Sequence, residues 1–405
     1  MKVQSKTLYF SIIGALYLIL EPILSIYGWL NFSFSKILSL IIVFIYTINW
    51  SIYRNVHSHV PKYLLLYFAW LLLCNYFSFG SLLPLGNIFQ LLLIISIFTI
   101  LKFNNLIGLY RKFAFISIAF FLVQEISFYA TGYRIIGILE WLPICFGGES
   151  FDLDHYLSYQ EVGDRSASFF SEPAHFAQFL LPLFAIEIFN IRNLRSAITP
   201  LILIIILLLL RSGNGLIGLA SICFLYSLSI FARSSLRKKL TASIFVIIFS
   251  TSFYYYARSE MGDSLLGRSE SVSGEVDTSS GFIRTFRGYY IYDEYNLFEK
   301  IIGINNIETI KKKRDQCKVS WTFADDNDVY VNCIQDVLLR TGLIGAIIFM
   351  LMLLSIWKQN KLEGKAIVVT FFILSFFASL YMSSTMMLYL YLAYNIKLDK
   401  KCDSI

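Results

Sequence analysis

The sequence predicts an all-α integral membrane protein: one polytopic domain over residues 1–405, with about twelve transmembrane helices. Three observations predict it. Of the 405 residues, 57% are apolar and only 15% charged, with a mean hydropathy of +0.64. A soluble domain carries about a quarter charged residues. Apolar blocks of roughly 15–25 residues recur, separated by short charged loops, and blocks of that length span a bilayer as helices. Basic residues gather in alternate loops, as in a chain threaded back and forth with its positive loops in the cytoplasm.

The elements follow in order. "MKVQSKTLYFSIIGALYLILEPILSIYGWL" has a basic start and an apolar core. It is too long and aromatic for a secretory signal, and no small-residue cleavage site follows, so it reads as the first span. Spans are expected near 8–28, 37–53, 63–80, 87–101, 113–131, 174–190, 197–210, 214–231, 241–257, 329–357, 366–379 and 382–395. One set of loops then collects Lys2 and Lys6; Arg54 and Lys62; Lys102, Arg111 and Lys112; Arg192 and Arg195; Arg233, Arg237, Lys238 and Lys239; Lys358, Lys361 and Lys365; and Lys397, Lys400 and Lys401. The positive-inside rule makes this set, and both termini, cytoplasmic. The last apolar block, 366–395, is short for two helices at about 1.5 Å rise per residue. Two short or tilted helices turning near Ser383–Thr385 keep "KLDKK" inside. A single span would make eleven and put that run outside.

The net charge of +7 belongs to this topology, so nucleic acid is not an expected partner. Cys74 and Cys223 fall in apolar spans. Cys145, Cys317 and Cys333 lie in or beside outward loops, where a disulfide among them is compatible with an oxidising compartment. His57 and His59 form a lone pair in a short basic loop and read as solvated. No Cys/His cluster, Walker loop, HExxH or GxSxG is present, so no metal or cofactor is expected. Asp325, Asp326 and Asp328 form an acidic run, which more commonly precedes a helix start than binds a cation.

Two long outer loops remain, 132–172 and 258–328. Loops of this length are functional or disordered. The aromatic stretch "GFIRTFRGYYIYDEYNLFEKIIGI", 281–304, argues for order and for packing on the membrane domain.

The chemistry-bearing residues cluster in and beside these loops. In "DRSASFFSEPAHFAQFLLPLFA", 164–185, a polar run enters an apolar helix. Pro173 suits the first helical turn, with Glu172 at or next to the N-cap and His175 one turn in. Glu172, His175 and Gln178 then share a face. The helix N-terminus adds partial positive charge beside Arg165, which favours an anion. On helix logic alone, an N-cap with an interfacial histidine is the leading explanation of the run. In "LLLLRSGNGLIGL", 207–219, Arg211 is either a snorkelling cation or the rim of the same cavity. The large loop holds Arg258, Arg268, Arg284 and Arg287, with Tyr289, Tyr290 and Tyr292 close by. Guanidinium forks pair with phosphates and aromatic rings stack on sugars, so this set suits a phosphate-linked glycan. "KKKR", 311–314, reads as a solvated face. Within the spans, Glu21, Glu125 and Glu187 are functional candidates because a charge in a membrane is costly. Glu21 and Glu125 fall toward the outer halves of their helices, whereas Glu187 is near the cytoplasmic end.

"RSASFFSEPAHFAQFLLP" resembles the R-x-S-x-F-x-E-P-x-x-x-A motif of Wzy-type polysaccharide polymerases, which join O-antigen or capsular repeat units. The order of "RSGNGLIGL", "SSGFIRTFRGYY", "LFEKIIGINN" and "DNDVYVNCIQDVLLRTGLIGAIIFM" is also similar. The motif resemblance covers roughly 160–350, while an Arg-x10-Gly signature has no clean copy at Arg258, Arg268, Arg284 or Arg287. The resemblance implies a metal-independent membrane glycosyltransferase of GT-C-like fold, related to O-antigen ligases. It would act on the outer face of the bacterial inner membrane, on undecaprenyl-pyrophosphate-linked glycans, without a nucleotide sugar. Membrane lipid and a chain-length regulator protein are the other implied partners. Arg165, Arg211 and Arg284 are expected to hold the leaving pyrophosphate, followed by Arg268 and Arg287, with Tyr289 against the glycan. Glu172 or His175 is expected to take the acceptor proton. An O-antigen ligase is the nearest alternative, and a flippase for the same lipid-linked unit is the alternative from another class.

Overall fold

The computed structural model describes residues 2–29, 32–50, 60–79, 85–139, 141–145, 165–233, 280–317 and 331–396. They are almost entirely helical: α1 (Lys2–Leu24), α2 (Phe34–Ile48), α3 (Lys62–Phe79), α4 (Leu85–Ile100), α5 (Phe103–Thr131), α6 (Pro173–Phe189), α7 (Leu194–Leu209), α8 (Gly213–Arg233), α9 (Ser280–Asp293), α10 (Leu297–Ile302), α11 (Ile307–Gln316), α12 (Cys333–Gln359), α13 (Leu362–Leu374) and α14 (Ser384–Ile396). A two-stranded hairpin, β1 (Gly28–Trp29) and β2 (Phe32–Ser33), joins α1 to α2.

Among the described residues, three helices are long and apolar enough to cross a membrane: Phe103–Thr131, Gly213–Ile230 within α8, and Cys333–Gln359. Shorter apolar helices accompany them at Leu8–Leu24, Phe34–Ile48, Leu85–Ile100, Pro173–Phe189 and Leu194–Leu209. Large apolar side chains lie on the outward faces as well as inside. In α2, Ser35, Ser39, Ile42 and Tyr46 point inward, while Ile37, Leu40, Ile41, Phe44 and Ile48 are exposed. In α12, Leu343, Ile347, Leu351 and Leu354 form an exposed apolar stripe. Small and hydroxylated residues inside with large aliphatics outside is how helices pack in lipid, where backbones gain from close approach and apolar surface is not driven inward.

Several boundaries differ from expectation for local reasons. The span expected from 113 starts at Phe103, because Arg111 and Lys112 lower hydropathy yet are good helix formers. The span expected from 329 starts at Cys333, fixed by a capping box: the Asn332 side chain accepts from Gln335 N–H, and the Gln335 side chain accepts from Asn332 N–H. The last apolar block forms two helices, α13 and α14, with turns across 375–383. The span expected at 241–257 lies outside the described residues, as do His57 and His59.

The chain divides into two compact units: residues 1–179 with 382–405, and 180–381. In the first, α1 is the hub, packed by α2, α4, α5 and α14. Its Glu21 accepts a hydrogen bond from Ser384 at the start of α14, so a carboxyl set in an apolar helix has a local partner. In the second, α12 packs on α9, α10 and α13, and α8 packs on α7 and α13. The described part of the large loop is thus ordered as α9, α10 and α11. Ile291, Tyr295, Ile304 and Ile310 form a core with Cys317, Val331 and Leu339, which joins that loop to the start of α12. "KKKR", expected to be a solvated face, is partly buried: Lys313 pairs with Glu299 at 3.0 Å and Arg314 with Asp315 at 2.9 Å, with both basic side chains mostly covered.

Among the described residues, Cys74, Cys145, Cys223, Cys317 and Cys333 are buried free thiols, so no disulfide joins Cys145, Cys317 and Cys333. The Cys317 thiol donates to Lys313 O at 3.5 Å. Burial first, then the carboxylates of Glu294, Asp293 and Asp315, push it up to about 11 and keep it protonated at neutral pH.

Candidate functional site

In the first unit, residues 165–172 are laid along α5 by their own side chains. Ser166 Oγ donates to Glu125 Oε1 at 2.5 Å and accepts from Arg134 Nε at 2.9 Å. Arg134 Nε also lies 3.6 Å from Glu125 Oε1, with the guanidinium 3.7 Å from the centre of the Phe128 ring. Arg134 is 4% and Glu125 7% exposed. In a charge pair this buried, removing one partner leaves the other charge uncompensated. One residue further on, Ser168 N–H donates to Gln124 Oε1 and Ser168 Oγ to Ser117 O, both at 2.8 Å. Ser168 has φ 56, a left-handed conformation costing a non-glycine residue about 1–2 kcal/mol. The hydrogen bonds hold it there. Gly137 leaves room for the Ser168 carbonyl, which a Cβ at 137 would strike.

Aromatic rings complete the seating. Phe169 stacks on Phe120 at 4.4 Å, and Phe170 on Phe176 at 5.1 Å. Phe170 and Phe176 are both fully buried. Ser166, Ser168, Phe169 and Phe170 thus fasten the stretch. Arg165 and Glu172 are half-buried and His175 is exposed. The Glu172 carbonyl accepts from His175 N–H at 3.1 Å and Phe176 N–H at 3.2 Å, which opens α6 at Pro173 as the sequence predicts. His175 Nδ1 lies 2.6 Å from Ser171 Oγ. Gln178, expected on the same face, is buried, so that face runs from the lip into the interior.

The second unit carries the remaining candidates. Arg211 caps α7 with φ 48, a position where helices usually place glycine. Ser212 Oγ then accepts from Gly215 N–H at 3.4 Å and starts α8. "RSGNG" is therefore a tight helix–helix corner with a strained arginine at its apex. On α9, Arg287 is fully buried and Tyr289 half-buried. Burial raises the Tyr289 hydroxyl above its ordinary value, so it remains a neutral donor. Gly288 lies against the Gln335 side chain, and Gln335 Nε2 donates to Thr285 O at 2.6 Å. Asn332 Nδ2 donates to Phe376 O at 2.9 Å, and Asp336 pairs with Arg340 at 2.6 Å. The backbone of Arg284 is on α9. Arg268, Arg258 and the acids at 325–328 lie outside the described residues.

The structure therefore brings Arg165, Glu172 and His175 together in the first unit, while Arg211, Arg284, Arg287 and Tyr289 belong to the second. Arg134, Ser166, Ser168 and Gln335 were not among the expected site residues. Asn332 and Gln335 were legible as a capping pattern; Arg134 carried no signal beyond a charge opposite to Glu125. Among the described residues, no cluster of three or more His, Cys, Asp or Glu could hold a metal ion. No protein-family model matches the chain, and no curated protein matches it. What the first unit offers chemically is a cation, a carboxylate and an imidazole on a rigidly seated strand at a helix N-terminus. This set is suited to binding an anion and accepting a proton.

Proposed function

We propose that the chain is a membrane glycosyltransferase that polymerises undecaprenyl-pyrophosphate-linked repeat units on the outer face of the bacterial inner membrane, with twelve spans and both termini cytoplasmic. The observation that carries the reading is the seating of 165–173. Within 165–173, Ser166, Ser168, Phe169 and Phe170 anchor the segment, and Arg165 and Glu172 lie half-buried at its two ends. A segment fixed by the residues between a cation and a carboxylate is suited to presenting both.

In the proposed reaction the acceptor sugar hydroxyl loses its proton to Glu172 or His175. Its oxygen bonds the anomeric carbon of the donor glycan as the bond to pyrophosphate breaks. Arg165 stabilises the charge that develops on the leaving group. Arg211, Arg268, Arg284 and Arg287 are the other arginines that the resemblance assigns to phosphate. Tyr289, held neutral, serves as a donor or stacking surface for sugar. Hydrophobic grooves between helices take the polyprenyl tail.

Purified protein supplied with a lipid-linked repeat unit should yield a ladder of products. Glu172→Ala and Arg284→Ala should remain inserted and yield single repeats. A ladder from both variants removes these two roles. Transfer of finished glycan to a lipid A core without any ladder identifies a ligase, and movement of the unit across the bilayer without bond formation identifies a flippase.

A further inference from the structure

From the geometry at the mouth of α6 we infer that Ser171 is a positioning residue for His175, accepting a hydrogen bond from its Nδ1–H so that Nε2 is the basic nitrogen that takes the acceptor proton. This rests on the glycosyltransferase reading above. The contact itself is short, 2.6 Å between Ser171 Oγ and His175 Nδ1. A neutral imidazole has one donor and one acceptor nitrogen. A hydroxyl can accept from Nδ1–H or donate to Nδ1, and we take the first tautomer, in which Nε2 carries the lone pair. With Nδ1 engaged by Ser171, Nε2 is the nitrogen open to a substrate.

The residues on either side of the pair explain why it is rigid. Phe170, next to Ser171, stacks on Phe176, next to His175, at 5.1 Å with planes 19° apart, and both rings are fully buried. Phe170 also packs on Phe179, one turn deeper, at 5.1 Å. The aromatic stack holds the backbone of 170–171 against the first turn of α6. The Glu172 carbonyl, bonded to the N–H groups of His175 and Phe176, closes that turn. An exposed histidine on a helix ordinarily samples several rotamers. Here an exposed imidazole is tied to a hydroxyl that a buried stack keeps in place. This is the arrangement expected of a base whose orientation matters: reacting atoms must be held within a fraction of an ångström for proton transfer to be efficient.

The step balances without any further reagent. The acceptor O–H proton moves to Nε2, the oxygen forms the new glycosidic bond, and the departing pyrophosphate carries away the bonding pair.

The test measures turnover of full-length protein on the purified lipid-linked repeat unit, for wild type, Ser171→Ala, Ser171→Thr and His175→Ala. Each variant is first checked for membrane insertion and monodisperse extraction. The expected result is a kcat about tenfold lower for Ser171→Ala with KM within about twofold. Ser171→Thr, which keeps the hydroxyl, should recover at least half of the wild-type rate, and His175→Ala should lose nearly all of it. Wild-type turnover by Ser171→Ala, or an active His175→Ala, overturns the inference while leaving the glycosyltransferase reading intact. A loss in Ser171→Ala that Ser171→Thr does not restore also overturns it, because the hydroxyl is then not what matters. A wild-type protein with no ladder removes the reading, and the inference falls with it.

Discussion

At the scale of single residues, the most consequential feature is one that hydropathy marks and sequence cannot resolve. Glu125 is a carboxylate within a long apolar helix, which by cost alone is a candidate for function. Its partner is Arg134, with Ser166 bridging the two. The cluster fastens the strand that carries Arg165 and Glu172, so its effect on function is through position. Removing one member leaves the other charge buried, which costs about 3–5 kcal/mol for a well-enclosed pair. Glu125→Ala and Arg134→Ala should each lower the thermal midpoint in detergent strongly. The double variant should be less unstable than the sum of the two. Ser166→Ala removes one hydroxyl bonded to charged groups and should cost about 1.5–3 kcal/mol. Thermal unfolding of the four proteins in a double-mutant cycle measures this, and additive effects would mean that the pair does not interact.

At the scale of elements, backbone geometry decides more than side-chain identity. Gly303 and Gly342 have φ 88 and φ 63, and Ile304 N–H donates to Leu339 O at 2.8 Å. A Cβ on either glycine would run into the other's backbone. This is where the large loop, through the end of α10, docks on a non-helical break inside α12. Gly132, at the end of α5, also has a positive φ, 79, but open space around it. Alanine at 132 meets only the left-handed strain of about 1–2 kcal/mol. Alanine at 303 or 342 meets that strain and a collision, so either should destabilise the protein by clearly more. Gly213, with ordinary φ and open space, should tolerate alanine. Ranking the four variants by thermal midpoint tests the close approach; equal losses at 132 and 342 would rule it out. Composition made the apolar helices legible, because each carries a long apolar block, whereas α9 and α11 carry none. The break at Gly342 was not legible, since its cause is a backbone 39 residues away in the chain. The starts of α6 and α12 were legible or nearly so, because Pro173 and the Asn332–Gln335 pair act locally. The seating of Ser166 and Ser168 was not, because their partners come from α5.

At the scale of the whole molecule, the open quantity is parity. Loop charges put Lys2 and Lys6 on the same side as Lys397, Lys400 and Lys401, which needs an even number of crossings. The physical weak point is the last apolar block. At about 1.5 Å per residue, α13 and α14 are each roughly 20 Å long, short of a hydrocarbon core of about 30 Å. Read as one span, the block would carry the C-terminus outward. The structure breaks it into two helices separated by turns at 375–383, with Met382 at φ 54. Each has lysines at its far end, Lys361 at the N-cap of α13 with Lys365 in its first turn, and Lys397 after α14. Two short crossings therefore satisfy the charge rule, and hydrophobic mismatch can be met by local thinning at a fraction of a kcal/mol per ångström. A fluorescent protein fused to the C-terminus should fold and fluoresce, and alkaline phosphatase fused there should be inactive. The same two reporters at the N-terminus should give the same pair of results. Opposite results at the two ends would establish an odd number of crossings and reverse α14. Matching phosphatase activity at both ends would invert the whole topology. Arg165, Glu172 and His175 would then face the cytoplasm, where a polymerase of exported glycans could not use them.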